Sequence, residues 1–323
     1  MSARLVLNEI SARHLRTERI PIILTGGGGW LGQAALEMLD GVFDDMLRKN
    51  VFVFGSSARP LRLRSGRQIE SRPLSQITGF SCDPALFLHF AFVTRDRVSE
   101  MSHEAFVSAN RIIADLVGEA ASRIGARGLF LPSSGAVYRP DHSIDDDMER
   151  NPYGVLKHQD EQRFEAFFRD TGLPYVIGRI FNMAGPFVNK LDTYALSSII
   201  RSVQRGGPVE IRASRRVVRS YVHVQDVLDI VFSSMTTSHG RRGAFCFDTV
   251  GDEAVEIGDL ASRVANVLGR SDCNIVRPRI DNPIADVYVG DGAAFRELVR
   301  CHGVRLKPLD QQIVDTADYL AKI

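Results

Sequence analysis

The sequence predicts an α/β chain, a doubly wound parallel sheet followed by a smaller α+β region, and three observations predict it. A short β-branched run at 20–24, IPIIL, leads into a glycine-crowded turn, TGGGGWLG at 25–32, and then into residues of helical spacing. Apolar runs and helical-period segments keep alternating up to about residue 182, which is the rhythm of a parallel sheet covered by helices on both faces. Beyond that point shorter strand-like and helix-like pieces mix, as in a smaller region built over the ligand crevice at the strands' carboxyl ends.

Taken in order, residues 1–20 alternate charged and apolar positions; they lack the continuous hydrophobic stretch of a signal peptide and read as a short packing helix. Residues 20–24 are a buried strand, with Pro21 tolerable near its first position. NVFVFG at 50–55, ALFLHFAF at 85–92, RGLFLPSS at 127–134 and PYVIGRIFN at 174–182 supply further strands. The helical segments 103–125 and 153–172 end at Gly125 and Gly172, where helices commonly stop. In the second half, VEIRA (209–213) and AFCFD (244–248) read as strands, and 256–269 and 309–323 as helices. The expected division is a dinucleotide-binding domain of the Rossmann type over 1–182, with 216–238 returning to it, and a substrate domain over 183–323.

Composition narrows the partners. With 40 basic and 39 acidic residues in 323, no charge excess points to nucleic acid or a membrane surface. The longest apolar runs are far too short to span a bilayer. Cys82, Cys246, Cys273 and Cys301 are scattered, without CxxC or a histidine at ligand spacing, which reads as four reduced thiols in a cytoplasmic protein with no metal.

Five glycines in eight positions need a reason, because ordering each costs roughly 0.5–1 kcal/mol relative to alanine. Between a strand and a helix, Gly26, Gly29 and Gly32 stand three apart, which lets backbone N–H groups approach a pyrophosphate at the helix N-terminus. A second pattern carries chemistry. Tyr153 and Lys157 lie four apart at the start of a predicted helix, hence on one face. A free phenol, with a pKa of about 10, is too weak a base at neutral pH, and an adjacent ammonium lowers it. Ser133 and Ser134 end a predicted strand, where a hydroxyl can orient a reacting oxygen toward the tyrosine.

On these residues the chain resembles the extended short-chain dehydrogenase/reductase family, in particular its nucleotide-sugar epimerases, dehydratases and keto-sugar reductases. TGGGGWLG resembles the family's TGxxGxxG, LHFAF (88–92) its HLAA-type segment, SSGAVY its serine segment and PYGVLK its Tyr-x-x-x-Lys motif. The resemblance runs from about residue 20 to 320. It implies Ser134, Tyr153 and Lys157 as catalytic residues. It implies Gly26, Gly29, Trp30, Leu31, Gly32, Ala91 and Asn110 in cofactor binding, together with Tyr153 and Lys157. RIFNMAGP resembles RxFNxxGP and RSYVHVQD resembles RDYxHVxD, which implies Asn182 and Arg219 at the diphosphate of a nucleotide sugar and Asp226 as a structural residue. Arg277 and Arg279 fall in a region that also holds the nucleotide in relatives, and Arg279 completes the substrate set.

The second strand ends in FGSSARP, where NAD-preferring relatives carry an acid. Gly55 stands there instead, followed by Ser56, Ser57 and Arg59, groups suited to a 2′-phosphate. The expected cofactor is therefore NADP, with NAD the alternative. The Asp-Glu pair that dehydratases carry after the catalytic hydroxyl is replaced by Gly135 and Ala136. What remains is hydride chemistry at one carbon, C4 of the sugar, by a 4-epimerase or a 4-keto reductase. A non-enzymatic NAD(P)-binding regulatory or assembly protein on the same fold is the alternative of another class. The resemblance also implies a homodimer pairing 103–124 with 153–170, for which Phe106, Ile112, Ile113, Phe164 and Phe168 supply apolar surface unless they pack on the sheet.

Overall fold

The computed structural model describes residues 4–94, 100–236 and 243–323. Two compact units are distinguishable: a sheet unit of residues 5–180 and 228–247, and a C-terminal unit of residues 1–4, 181–227 and 248–323. Of the segment 216–238 that was expected to return to the first domain, positions 237–238 lie outside the described residues.

Up to residue 180 the chain runs α1 (Glu9–Glu18), β1 (Ile22–Thr25), α2 (Trp30–Phe43), α3 (Leu47–Asn50), β2 (Val51–Gly55), β3 (Arg59–Arg62), β4 (Gln68–Pro73), β5 (Leu86–His89), α4 (His103–Ile124), β6 (Gly128–Ser134), α5 (Pro152–Phe168) and β7 (Tyr175–Ile180). Then follow β8 (Met183–Ala184), α6 (Ala195–Gln204), β9 (Val209–Glu210), β10 (Arg215–Ser220), β11 (Val222–His223), α7 (Val224–Thr236) and β12 (Ala244–Asp248). The last elements are β13 (Ala254–Glu256), α8 (Ile257–Val267), β14 (Ile275–Val276), β15 (Asn282–Tyr288), α9 (Ala293–Cys301) and α10 (Leu309–Leu320).

An eight-stranded sheet in the order β12-β7-β6-β5-β1-β2-β4-β3 dominates the sheet unit. The pairs from β7 through β6, β5, β1 and β2 to β4 are parallel, so this is the doubly wound α/β sheet that the alternating pattern predicts. Strands β1, β5 and β6 are buried at every position, which is why their sequences are continuous apolar runs rather than alternating ones. Ile23, Phe54, Phe87, Leu129, Leu131, Tyr175 and Ile177 of the sheet pack with Ala114, Val117 and Ala121 of α4 and Phe164 and Phe168 of α5. Full burial of each large apolar side chain contributes roughly 1.5–3 kcal/mol.

The hairpin of β3 and β4 has no counterpart in the sequence reading, which left 56–84 without an element. The stretch alternates charged and apolar residues around Gly66, whose φ is +89°, and β3 pairs antiparallel with β4 at the sheet edge. Side chains fasten it to α2: Arg64 donates to Glu37, which is 6% exposed, and Arg67 donates to Asp40 at 3.2 Å and to Asp44. Ion pairing across 27 residues leaves no local periodicity to read.

In the C-terminal unit three small sheets, β13-β10-β15, β11-β8 and β14-β9, are accompanied by α6, α8 and α10, which pack on one another. Asp226, expected to be structural, is buried and accepts the Lys307 backbone N–H at 2.8 Å.

Candidate active site

The glycine turn is shaped by what a side chain would strike. Gly26 has φ +74°, and a Cβ there would lie 2.7 Å from the Ala91 nitrogen and the Phe90 carbonyl carbon. A Cβ on Gly32 would run into the Gly26 carbonyl. Gly26 donates to Phe54 O at 2.8 Å, Gly29 donates to Gly26 O at 3.0 Å, and Gly29 caps α2 without a side chain. Trp30 is buried and Leu31 half-buried, so this first helical turn offers backbone N–H groups without intrahelical acceptors. Such a cradle fits the pyrophosphate of a dinucleotide.

Neighbouring strand ends brace the turn. The Thr25 hydroxyl accepts the Ala91 N–H at 3.1 Å and hydrogen-bonds His89 Nδ1 at 2.8 Å. Asn110 is buried in α4; its Oδ1 accepts the Val93 N–H at 2.8 Å and its amide donates to Phe106 O at 3.1 Å. It therefore fixes the segment 91–93 beside the turn. After β2, Ser56 and Ser57 are exposed. Arg59 is exposed too, and its guanidinium lies so close over Gly28 that a Cβ there would strike it.

Asn151 and Pro152 start α5: the Asn151 side chain accepts the Gly154 N–H at 3.0 Å and donates to Ala136 O at 2.7 Å. A Cβ on Gly154 would collide with that same Ala136 carbonyl, so the helix start carrying Tyr153 is pressed against the turn carrying Ser134. The Ser134 hydroxyl accepts the Ala136 N–H at 3.1 Å. Lys157, one turn beyond Tyr153, is 5% exposed, and its Nζ donates to Pro132 O at 2.9 Å. Burial draws its pKa down to about 8, against the pull of Asp160 and Glu161. The same burial, with Lys157 nearby, pushes His89 down to about 3, so that imidazole stays neutral.

Around this pair lies a set of groups that motif reading passed over. Arg179 donates to Glu161 at 2.9 and 2.6 Å and to the Tyr138 hydroxyl at 2.5 Å. Burial opposes the Glu161 charge, yet Arg179 holds that carboxyl below its ordinary range. Asp160 is buried, its Oδ2 makes no hydrogen bond, and burial raises its pKa to about 6. Phe92 presents its ring to Lys157 Nζ, 3.8 Å from the centroid, and meets the Tyr153 ring edge-on at 5.5 Å. The spacing Tyr153, Lys157, Glu161 was a usable signal for Glu161. Phe92 closed the LHFAF segment without being assigned a role, and nothing in the sequence flagged Asp160.

The predicted substrate residues lie in the C-terminal unit. The Asn182 amide donates to Ser220 O at 3.2 Å and Tyr288 O at 3.3 Å. Arg219 donates to the Asp286 carboxylate with two contacts of 3.2 Å and to the Val218 and Asp286 backbone carbonyls at 2.9 Å. Arg277 is held by Glu256 at 2.7 and 2.8 Å, and Arg279 is exposed. A cavity of about 440 Å³ is lined by Ile199, Pro208, Ile211, Arg212, Val217 and Arg219 among others. Asp192 and Glu210 line it as well, so its two arginines stand beside two carboxylates within a mixed polar and apolar wall. Asp286 and Glu256 were not anticipated, because each acts by pairing with an arginine distant in sequence.

Phe106, Phe164 and Phe168, offered as dimer surface, are fully buried within the sheet unit, whereas Ile112 is 54% exposed. Among the described residues, no cluster of three His, Cys, Asp or Glu side chains is arranged to hold a metal ion. No described helix is long and apolar enough to cross a membrane.

Residues 22–244 match the NAD dependent epimerase/dehydratase family, and the chain belongs to it. UDP-glucuronic acid decarboxylase 1 of Arabidopsis thaliana is 23% identical over 272 residues, covering 76% of this chain and 60% of that protein. UDP-glucuronic acid decarboxylase 5 of the same plant is 32% identical over 120 residues, 34% of this chain and 35% of that protein. The chain thus matches less than two thirds of the length of these curated relatives. Among solved structures, UDP-glucuronic acid 4-epimerase of Bacillus cereus, in complex with UDP-4-deoxy-4-fluoro-glucuronic acid and NAD, has TM-score 0.70 at 16% identity, covering 94% of this chain and 99% of that one. UDP-glucose 4-epimerase of Thermotoga maritima, with UDP-glucose, has TM-score 0.67 at 18% identity and the same coverage. The fold is therefore that of the extended short-chain nucleotide-sugar enzymes.

Proposed function

We propose that the protein is an NAD(P)-dependent nucleotide-sugar enzyme working at C4 of the sugar, as a 4-keto reductase or a 4-epimerase. The observation that carries the reading is the Tyr153–Lys157 pair, set on a helix start pressed against the Ser134 turn, with Lys157 5% exposed. Tyr153 exchanges the proton of the C4 oxygen; Lys157 stabilises the phenolate and binds the nicotinamide ribose; Ser134 orients the reacting oxygen. The nicotinamide cofactor, when bound, supplies the hydride equivalent. Gly26, Gly29 and Gly32, with the N–H groups of Trp30 and Leu31, hold its pyrophosphate; Asn110 and Ala91 fix the adjoining strand end.

Arg59, with Ser56 and Ser57, favours NADP: a guanidinium over the glycine turn and no acid after β2 suit a 2′-phosphate. That preference supports the reductase. The epimerase reading is supported by the NAD-bound 4-epimerase among the structural neighbours. In the C-terminal unit, the cavity lined by Arg219 would take the nucleotide diphosphate, with Asn182 and Arg279 the other residues assigned to it. The balanced charge gives no surplus for nucleic acid, no described helix is long and apolar enough to cross a membrane, and a cytoplasmic homodimer using the Ile112 face completes the reading.

Denaturing the purified protein and weighing any released cofactor separates the two reactions. Stoichiometric NAD supports the epimerase; an empty protein that binds NADPH more tightly than NADH supports the reductase. Tyr153→Phe should lower turnover by about 10²–10⁴-fold while leaving cofactor affinity unchanged. Surviving activity would sink the catalytic assignment.

A further inference from the structure

Phe92 stands where the family-like LHFAF segment ends, and it touches both members of the acid–base pair. Its ring face receives the Lys157 ammonium at 3.8 Å from the centroid, and its plane is nearly perpendicular, at 87°, to the Tyr153 ring. A cation held against a π face is stabilised electrostatically, most where water is excluded, and Lys157 is buried. An edge-to-face contact at 5.5 Å between centroids is the favoured geometry for two aromatic rings. Such a contact restricts the phenol's orientation.

The groups around the ammonium explain why this contact matters. From α5, Tyr153, Asp160 and Glu161 share its surroundings. From β5, the neutral His89 ring feels its charge, and from β6 the Pro132 carbonyl takes one of its protons. Helix α4 places Asp115 near Asp160, where Arg163 of α5 pairs with it. Glu161 is engaged by Arg179, so its attraction for the ammonium is divided. The Phe92 π face therefore adds to a limited set of stabilising contacts.

We propose that Phe92 is a positioning residue of the acid–base pair: its ring face keeps Lys157 charged and in place, and its perpendicular contact with the Tyr153 ring orients the phenol. The proposal rests on the reading of Tyr153 and Lys157 as that pair. Removing the π face weakens the ammonium, and the phenolate that depends on it then forms at higher pH.

The test needs no substrate. The ionisation of Tyr153 is followed by ultraviolet difference absorbance of tyrosinate, each protein being compared with its own Tyr153→Phe counterpart. Phe92→Leu, which keeps apolar bulk without a π face, should raise the Tyr153 midpoint by about half to one pH unit. Progressively fluorinated phenylalanines introduced at position 92 keep the ring and drain its face; they should move the midpoint upward in step with fluorination. They also guard against a misfolded leucine variant. An unchanged midpoint across the fluorinated series, in a protein whose Tyr153 ionises below an ordinary tyrosine, overturns the role of Phe92 alone. A Tyr153 that already ionises like a free tyrosine in the unaltered protein overturns the acid–base reading beneath it.

Discussion

The sheet unit and the C-terminal unit arrange their polar groups on different principles. In the sheet unit the groups assigned to cofactor and proton transfer are set by backbone: Lys157 on the Pro132 carbonyl, Ser134 on the Ala136 N–H, Asn110 on Val93, and a turn too tight for side chains. In the C-terminal unit backbone carbonyls hold Asn182 and also receive Arg219 and Arg277, but each of these two arginines is in addition paired with a carboxylate, Arg219 with Asp286 and Arg277 with Glu256. A site fixed by backbone is pre-organised and leaves motifs of constant spacing. One fixed by exchangeable ion pairs can change its partner, and it leaves scattered arginines.

The sharpest way to break this comparison is at the turn. Gly32→Ala drives a Cβ into the Gly26 carbonyl, a contact between backbone atoms that no rotamer relieves. NADPH affinity should fall roughly a hundredfold, about 2.7 kcal/mol, while UDP, used as a probe for the nucleotide diphosphate proposed for the C-terminal cavity, should bind within about twofold of its affinity for the unaltered protein. Calorimetric titration of each ligand checks both. Unchanged NADPH binding would remove the turn from the cofactor site, and a parallel loss of UDP binding would mean that the two regions do not act separately.

Acid should act on one buried carboxyl of each region with opposite signs. Asp160 has its carboxyl raised to about 6 by burial. Between roughly pH 4 and 6 the folded chain holds a proton that the unfolded chain has released, so stability falls as pH rises through that window. Asp160→Asn should therefore stabilise the protein by about 2 kcal/mol at pH 7, and the gain should vanish below about pH 4. Glu256 behaves inversely. Against the cost of its burial, Arg277 and the Val217 and Gly258 N–H groups hold it at about 2, so its contribution is full above roughly pH 4 and is lost as pH falls toward 2. Glu256→Gln should cost about 1 kcal/mol at neutral pH once solvent screening is allowed for. Melting of each variant against the unaltered protein from about pH 3 to 7 should show the Asp160→Asn gain disappearing toward about pH 4 and the Glu256→Gln cost disappearing toward about pH 2. The opposite pH trend for either variant would contradict the assignment of that carboxyl.

The same contrast explains what was legible in the sequence. The parallel sheet was readable because β1, β5 and β6 are buried on both faces and so are continuous apolar runs. Gly26, Tyr153 and Lys157 were readable because a turn and one helical repeat fix their spacing locally. The β3–β4 hairpin was not, since its hold on α2 comes from Arg64 and Arg67 reaching 27 residues back to Glu37 and Asp40. Asp160 looked like any charged helix position, yet it is buried in the fold, where α5 packs on α4 and on the sheet. Phe92 passed as part of an apolar run, although its two neighbours lie more than sixty residues away. Asp286 was hidden for the same reason, its partner Arg219 being 67 residues distant.

That last pair offers the finest test of the comparison. If Arg219 receives a diphosphate, the incoming anion competes with Asp286 for the guanidinium, because both bind the same fork of donors. Asp286→Asn removes the competitor's charge while keeping its size, so UDP affinity should rise by roughly three- to tenfold at low salt, in the range of a single charge contact. The gain should shrink in high salt, since Asp286 is about one third exposed and the competition is screened. Arg219→Met in the same background should abolish the gain, which ties it to that arginine rather than to a general change in surface charge. A fall in UDP affinity on Asp286→Asn would reverse the argument: the carboxylate would then be holding Arg219 in its working position, and the C-terminal unit would be as pre-organised as the sheet unit.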